Sequence, residues 1–86
     1  MAYKLSFSKT ALKNLLKISA NKKSIILEKL EVLKLDPYQE NNNIKKLTGY
    51  DGYRLRVGGY RVLYRIDKGK VEILVINIDV REGIYK

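Results

Sequence analysis

The arginines of this 86-residue sequence are clustered, and they define its most informative chemistry. All five lie in the last 33 residues, whereas most lysines precede residue 47. A guanidinium group presents a planar fork of donors that matches the oxygens of a phosphate. The formal net charge is +9 at pH 7, which is typical of proteins that meet polyanions. The cluster therefore indicates a phosphate-bearing partner; a charge that serves solubility alone is the alternative.

Two absent residue types restrict the chemistry further. The sequence has no cysteine and no histidine, which excludes disulfides, cysteine-based zinc sites and thiol catalysis and removes the side chain that titrates near neutrality. We expect no metal and no cofactor, and any catalysis must use Lys, Arg, Tyr, Asp, Glu, Ser or Thr. No apolar stretch is long enough to span a bilayer and no secretory signal is evident, so we expect a cytoplasmic protein.

The elements that carry the arginines follow from periodicity and turn residues. The pattern predicts one α+β domain over residues 1–86: an N-terminal strand, an antiparallel helical hairpin, and a three-stranded antiparallel β-meander in one sheet. The first helix is predicted at about 9 to 19 after an N-cap at Ser8, and the second from Lys22 after Asn21 until Asp36-Pro37. Residues 36 to 52 read as a connection. The meander strands are predicted at 53–57, 60–66 and 71–78.

Gly58-Gly59 is a strong two-residue hairpin signal that fixes the register of the first strand pair. It places Arg56 directly opposite Arg61, on the face away from an apolar face made of Tyr53, Leu55, Val57, Val62, Tyr64, Ile66, Val71, Ile73 and Val75. Like charges in directly opposed positions cost up to about 1 kcal/mol. The pair therefore indicates a bound anion, unless both side chains simply extend into water.

A second turn at Lys68-Gly69 would place Arg65 opposite Glu72, as a cross-strand salt bridge. The arginine face would also carry four apolar residues: Leu63, Leu74, Ile76 and Ile78. Either the N-terminal strand and the C-terminal tail cover them, or an apolar helix of a partner protein does.

The C-terminal tail supplies two more candidates for the same site. Arg81 follows the last strand on the side of the Gly58-Gly59 turn, so it can approach Arg56 and Arg61. Tyr85 either stacks on a nucleotide base or serves as a packing anchor. Together these residues predict a site for a phosphodiester and its neighbouring base.

Three ordered segments resemble the RelE/ParE superfamily of toxins from toxin–antitoxin systems. They are Lys46-Leu47-Thr48-Gly49, the run from Tyr53 to Arg65 around Gly58-Gly59, and the closing Arg81-Glu82-Gly83-Ile84-Tyr85. The resemblance covers nearly the whole chain. It implies a RelE-like βααβββ fold and a ribosome-dependent messenger-RNA endonuclease. Such an enzyme uses the ribose 2′-hydroxyl to attack the adjacent phosphate, and its partners are messenger RNA, the ribosome and a cognate antitoxin that binds by an apolar helix or an extended segment.

The resemblance also implies individual roles. Arg61 would hold the transition-state phosphate, Arg81 would aid the leaving 5′-oxygen, Tyr85 would orient the base, and Arg56 would stabilise developing charge. We expect Arg54, Lys45 and Lys46 to bind RNA.

Related nucleases usually carry lysines where this chain has Arg54 and Arg56, and an arginine cannot accept the proton. The general base is therefore unassigned: Glu82, Asp79, Tyr85 or Lys46 could serve, or orientation by the ribosome could make a strong base less necessary. Two other readings remain open: a ParE-like poison of DNA gyrase, and an inactive module that only binds.

Overall fold

A single five-stranded sheet holds Arg54, Arg56, Arg61 and Arg65, and two helices precede most of it in the chain. The computed structural model describes residues 3–39, 42–49 and 51–80. The elements are β1 (Lys4–Phe7), α1 (Lys9–Leu16), α2 (Ala20–Leu35), β2 (Ile44–Lys46), β3 (Tyr53–Val57), β4 (Tyr60–Asp67) and β5 (Glu72–Val80). The strand order is β1-β5-β4-β3-β2. β1 runs parallel to β5 and the other neighbours are antiparallel.

The α+β class is confirmed, but the sheet has five strands and is not the predicted three-stranded meander alone. The sheet is mixed, because β1 joins the edge of β5 in parallel instead of covering a face. A further strand, β2, lies within the segment predicted as a connection and pairs with β3. Three residues are too few to show an alternating pattern, so periodicity could not reveal this strand.

The helix boundaries follow local capping chemistry. Ser8 caps α1 as predicted, because its hydroxyl accepts a hydrogen bond from the backbone N–H of Ala11 at 3.0 Å. The helix ends at Leu16, earlier than predicted. Asn21 is wrong as the second cap: Ser19 occupies that position and Asn21 lies inside α2. The end of α2 before Asp36-Pro37 is confirmed.

The core lies between the helices and one face of the sheet, called here the helix face. The helices contribute Ala11, Leu15, Ile26, Leu30 and Leu33, and the sheet contributes Leu55, Val57, Val62, Tyr64, Ile73, Val75 and Ile78. Burying each large aliphatic side chain stabilises the fold by about 1.5–3 kcal/mol. The opposite side of the sheet, called the open face, carries Lys45, Arg54, Arg56, Arg61, Leu63, Arg65 and Leu74 by register.

The first hairpin has the predicted register, with Val57 opposite Tyr60 and Arg56 opposite Arg61. The second does not. Asp67 pairs with Glu72, so the turn spans four residues, and Val71 is an exposed turn residue instead of a member of the apolar face. The Asp67 carboxylate accepts a hydrogen bond from the backbone N–H of Lys70 at 3.1 Å, which closes this longer turn. Turn residues of this kind often bond to the backbone in this way.

The prediction for Arg65 also changes with the second turn. Arg65 lies opposite Leu74, not Glu72, and its guanidinium instead pairs with Asp51 at 3.3 Å.

A β-bulge changes which residues of β5 face the core. Leu63 pairs with Asn77 and Tyr64 with Val75, so Ile76 is an extra residue between them. Because one extra residue reverses the alternation of faces, Ile78 lies on the helix face with only 2% of its surface exposed. The prediction that Ile78 belongs to the open face is therefore wrong.

Neither helix within the described ranges has the length and apolar character needed to cross a membrane.

Candidate nucleic-acid interface

Four cations lie together on the open face, at the end of the sheet near the Gly58-Gly59 turn. Arg56 is directly opposite Arg61, and Arg54 is directly opposite Lys45 on β2. Directly opposed side chains have their Cβ atoms about 4.5–5.5 Å apart. We call Lys45, Arg54, Arg56 and Arg61 the cationic cluster. Gly58 adopts a φ of 58°, a conformation that glycine reaches without strain, and the tight turn it allows holds β3 and β4 in this register.

Arg61 is the central residue of a row of directly opposed residues that crosses β3, β4 and β5. Arg56 is its neighbour on β3, and Asp79 is its neighbour on β5. Arg61 is half-buried, and its Nε atom is buried without a hydrogen-bond partner in the part of the chain that the structure describes. An unpaired buried donor costs about 1–3 kcal/mol, so a phosphate oxygen is a favourable ligand for this side chain.

Asp79 is held beside this row by amide side chains. The side-chain amide of Asn77 donates to Asp79 Oδ1 at 3.5 Å, a long hydrogen bond. Asn77 in turn accepts from the Asn14 amide of α1 at 2.7 Å. The bulge at Ile76 is the cause of this placement, because an uninterrupted strand would turn Asp79 toward the helix face.

The structure places one predicted RNA-binding residue, Lys46, away from the cluster. Lys46 pairs with Tyr53, whose ring stacks on the buried Tyr64, so Lys46 lies on the helix-face side and not in the cationic cluster. Arg65, predicted to form a structural salt bridge, is on the open face and pairs with Asp51. The predicted site residues Arg81 and Tyr85 lie outside the described residues.

The arrangement suits the binding of a phosphodiester. Guanidinium groups from adjacent strands can contact two oxygens of one phosphate, and the neighbouring Lys45 adds charge for the polymer backbone. Among residues 3–39, 42–49 and 51–80, no group of three or more acidic residues could hold a metal ion.

Sequence reasoning missed the support for Asp79. Asn77 interrupts the apolar run Ile73–Ile78, and a polar residue at that position was the available signal. Its partner Asn14 lies 63 positions earlier, a separation that no local pattern can bridge.

The fold and the open face thus define a small basic α+β protein with a cluster of cations on one sheet surface. Residues 5–85 match the family described as the ParE toxin of the type II toxin–antitoxin system parDE. The mRNA interferase toxin RelE of Escherichia coli (strain K12) is 32% identical over 82 residues, which cover 95% of this chain and 86% of that protein. A putative toxin RelE1 of Methanocaldococcus jannaschii is 34% identical over 88 residues, covering 100% and 98%.

A solved structure agrees with the sequence relatives. The intact E. coli RelBE toxin–antitoxin complex contains a chain that superposes with a TM-score of 0.76 at 34% identity, covering 90% of this chain and 94% of that one. The chain therefore belongs to the RelE/ParE superfamily of toxins from toxin–antitoxin systems.

Proposed function

We propose that this protein is a ribosome-dependent endoribonuclease that cleaves messenger RNA in the decoding site and inhibits translation. The ribose 2′-hydroxyl attacks the adjacent phosphate, leaving a 2′,3′-cyclic phosphate and a free 5′-hydroxyl. The name of the E. coli relative, an mRNA interferase, supports this activity.

The observation that carries the proposal is the like-charged pair Arg56 and Arg61. A small domain gains little by opposing two cations, but their arrangement is favourable where negative charge develops on a phosphate. In this proposal Arg61 holds the transition-state phosphate and Arg56 stabilises its charge. Arg81 assists the leaving 5′-oxygen, Tyr85 stacks on the base, and Arg54 and Lys45 bind the RNA backbone.

We further propose that a cognate antitoxin protein neutralises the toxin. The E. coli structure is a RelBE toxin–antitoxin complex, which supports a partner of the same kind here. The open face of this chain offers both charge and the half-buried apolar residues Leu63 and Leu74.

The decisive experiment maps cuts by primer extension on ribosomes programmed with a defined messenger RNA. Wild-type protein is expected to cut within the decoding-site codon. Arg61→Ala is expected to lower the cleavage rate by about 100- to 1,000-fold, as the loss of one oxyanion-hole donor does, while the fold is retained because a like-charge contact is removed.

The matched control is Arg65→Ala. This arginine lies on the same strand and face, about 13 Å away, and is paired with Asp51, so cleavage should stay within twofold of wild type. An Arg61→Ala protein that also stays within twofold would contradict the proposed site. Cleaved gyrase–DNA complexes without RNA cuts would identify a gyrase poison. The absence of both products would identify a module that only binds.

A further inference from the structure

The proton acceptor for the proposed cleavage has to be a carboxylate or another basic group close to Arg61. Attack requires the 2′-oxygen to lie about 3–3.5 Å from phosphorus, and a general base must be within about 2.6–3.2 Å of the hydroxyl. A phosphate-binding arginine and the base therefore have to be near neighbours. Cross-strand neighbours, with Cβ atoms about 5 Å apart, meet this condition.

Asp79 is the described carboxylate that fits. It lies directly opposite Arg61, and no described carboxylate forms an ion pair with Arg61. Asn77 donates a long hydrogen bond to Oδ1 of Asp79 at 3.5 Å, while Oδ2 has no described hydrogen-bond partner. One oxygen thus lies toward Asn77 and the other is available.

The remaining described acids of the open face are too far away. Asp67 and Glu72 pair with each other six residues along β4 from Arg61, about 20 Å at strand spacing. Asp51 is paired with Arg65. Lys46, another candidate base, lies on the other side of the sheet.

We infer that Asp79 is the general base of the cleavage reaction, an inference that rests on the proposed function. The 2′-O–H bond breaks and its proton moves to Asp79, the 2′-oxygen bonds to phosphorus, and the bond from phosphorus to the 5′-oxygen breaks. The 5′-oxygen takes a proton from water. The resulting hydroxide removes the proton from Asp79, so protons and charge balance.

The test is single-turnover cleavage on programmed ribosomes by wild type, Asp79→Asn and Asp79→Ala. Asp79→Asn keeps the size of the side chain, and we expect a loss of about 100- to 10,000-fold in the maximal rate. The half-saturating ribosome concentration should change less than twofold. Added acetate should partly restore cleavage by Asp79→Ala but not by Arg61→Ala, because only the first variant lacks a proton acceptor.

The matched control is Asp67→Asn, the same chemical change at the far end of the open face, which should cleave like wild type. If wild type cleaves and Asp79→Asn does so equally well, this inference is overturned while the proposed function stands. The same holds if Glu82→Gln suffers the loss instead, or if Asp79→Asn weakens ribosome binding without slowing the maximal rate. A wild type that cuts no RNA overturns both.

Discussion

The hydroxyl of Tyr64 is buried on the helix face and has no hydrogen-bond partner among the described residues. Its ring stacks on Tyr53, with centroids 5.5 Å apart and planes inclined by 15°. Burial, with a smaller contribution from Tyr53, raises the pKa of Tyr64 above the ordinary tyrosine value. The ring thus stabilises the core, while the hydroxyl contributes an uncompensated desolvation cost.

Tyr64→Phe is expected to increase the free energy of unfolding by up to about 1–3 kcal/mol, because it keeps the ring and removes the unpaired hydroxyl. The effect should grow in alkali. The unfolded chain ionises its tyrosine above about pH 10 while folded Tyr64 stays neutral, so the wild type should lose about 1.4 kcal/mol for each further pH unit.

Urea unfolding of wild type and Tyr64→Phe at pH 8 and pH 11 measures both effects. The difference in free energy of unfolding between the variant and the wild type should be larger at pH 11 than at pH 8. A wild type that is more stable than the variant at pH 8 would show that the hydroxyl has a partner after all.

Between β4 and β5, the turn contains a residue in an unfavourable conformation. Val71 has a φ of 52°, in the left-handed region that a β-branched residue reaches at a cost of about 1–2 kcal/mol. Its backbone is held at both groups: the N–H donates to Lys68 O and the carbonyl accepts from Lys4 N. The junction with β1 therefore fixes the backbone conformation of Val71. Its side chain is 39% exposed and adds little buried apolar surface.

Val71→Gly is therefore expected to stabilise the protein by about 0.5–1 kcal/mol, since the relief of strain exceeds the added chain entropy of glycine. Thermal unfolding followed by circular dichroism measures the change. Val32→Gly is the matched control: it makes the same substitution at an exposed site in α2 and should destabilise by about 0.3–0.5 kcal/mol, the difference between the helix propensities of valine and glycine. A Val71→Gly protein that is less stable than the wild type would show that the left-handed conformation at Val71 is not strained.

These elements also show what the sequence can and cannot specify. The Gly58-Gly59 turn was predictable with its register because a two-residue loop leaves one pairing. The bulge was not, because an apolar run such as Leu74–Ile76 is compatible with either face. Consequently the Arg56–Arg61 pair could be predicted from the sequence, whereas the position of Asp79 opposite Arg61 required the structure.

Across the whole molecule, charge and apolar surface indicate the same kind of partner. The chain carries +9, which favours an acidic protein and speeds its association. The open face adds Leu63 and Leu74 beside the cationic cluster. A helix or extended segment with acidic and apolar residues would match both properties.

Amide hydrogen exchange, measured for the free protein and for its complex with the cognate antitoxin, tests this surface. Amides of residues 72 to 78 are expected to exchange more slowly in the complex, because a partner on the open face would suppress local opening of β5. The exposed end of α2, around Val32 and Leu35, should change little and is the internal control. Unchanged exchange over residues 72 to 78 would mean that the antitoxin binds elsewhere.

The single extra residue at Ile76 reverses which positions of β5 face the core and which face outward. Ile73 and Val75 before it and Ile78 after it maintain the core, while Asn77 and Asp79 lie on the open face. Substitutions at Asn77 and Asp79 can therefore change the open face while the inward-facing residues preserve the fold. An insertion or deletion within the strand would disturb both at once, so selection should tolerate exchange of side chains here far more readily than any change in length.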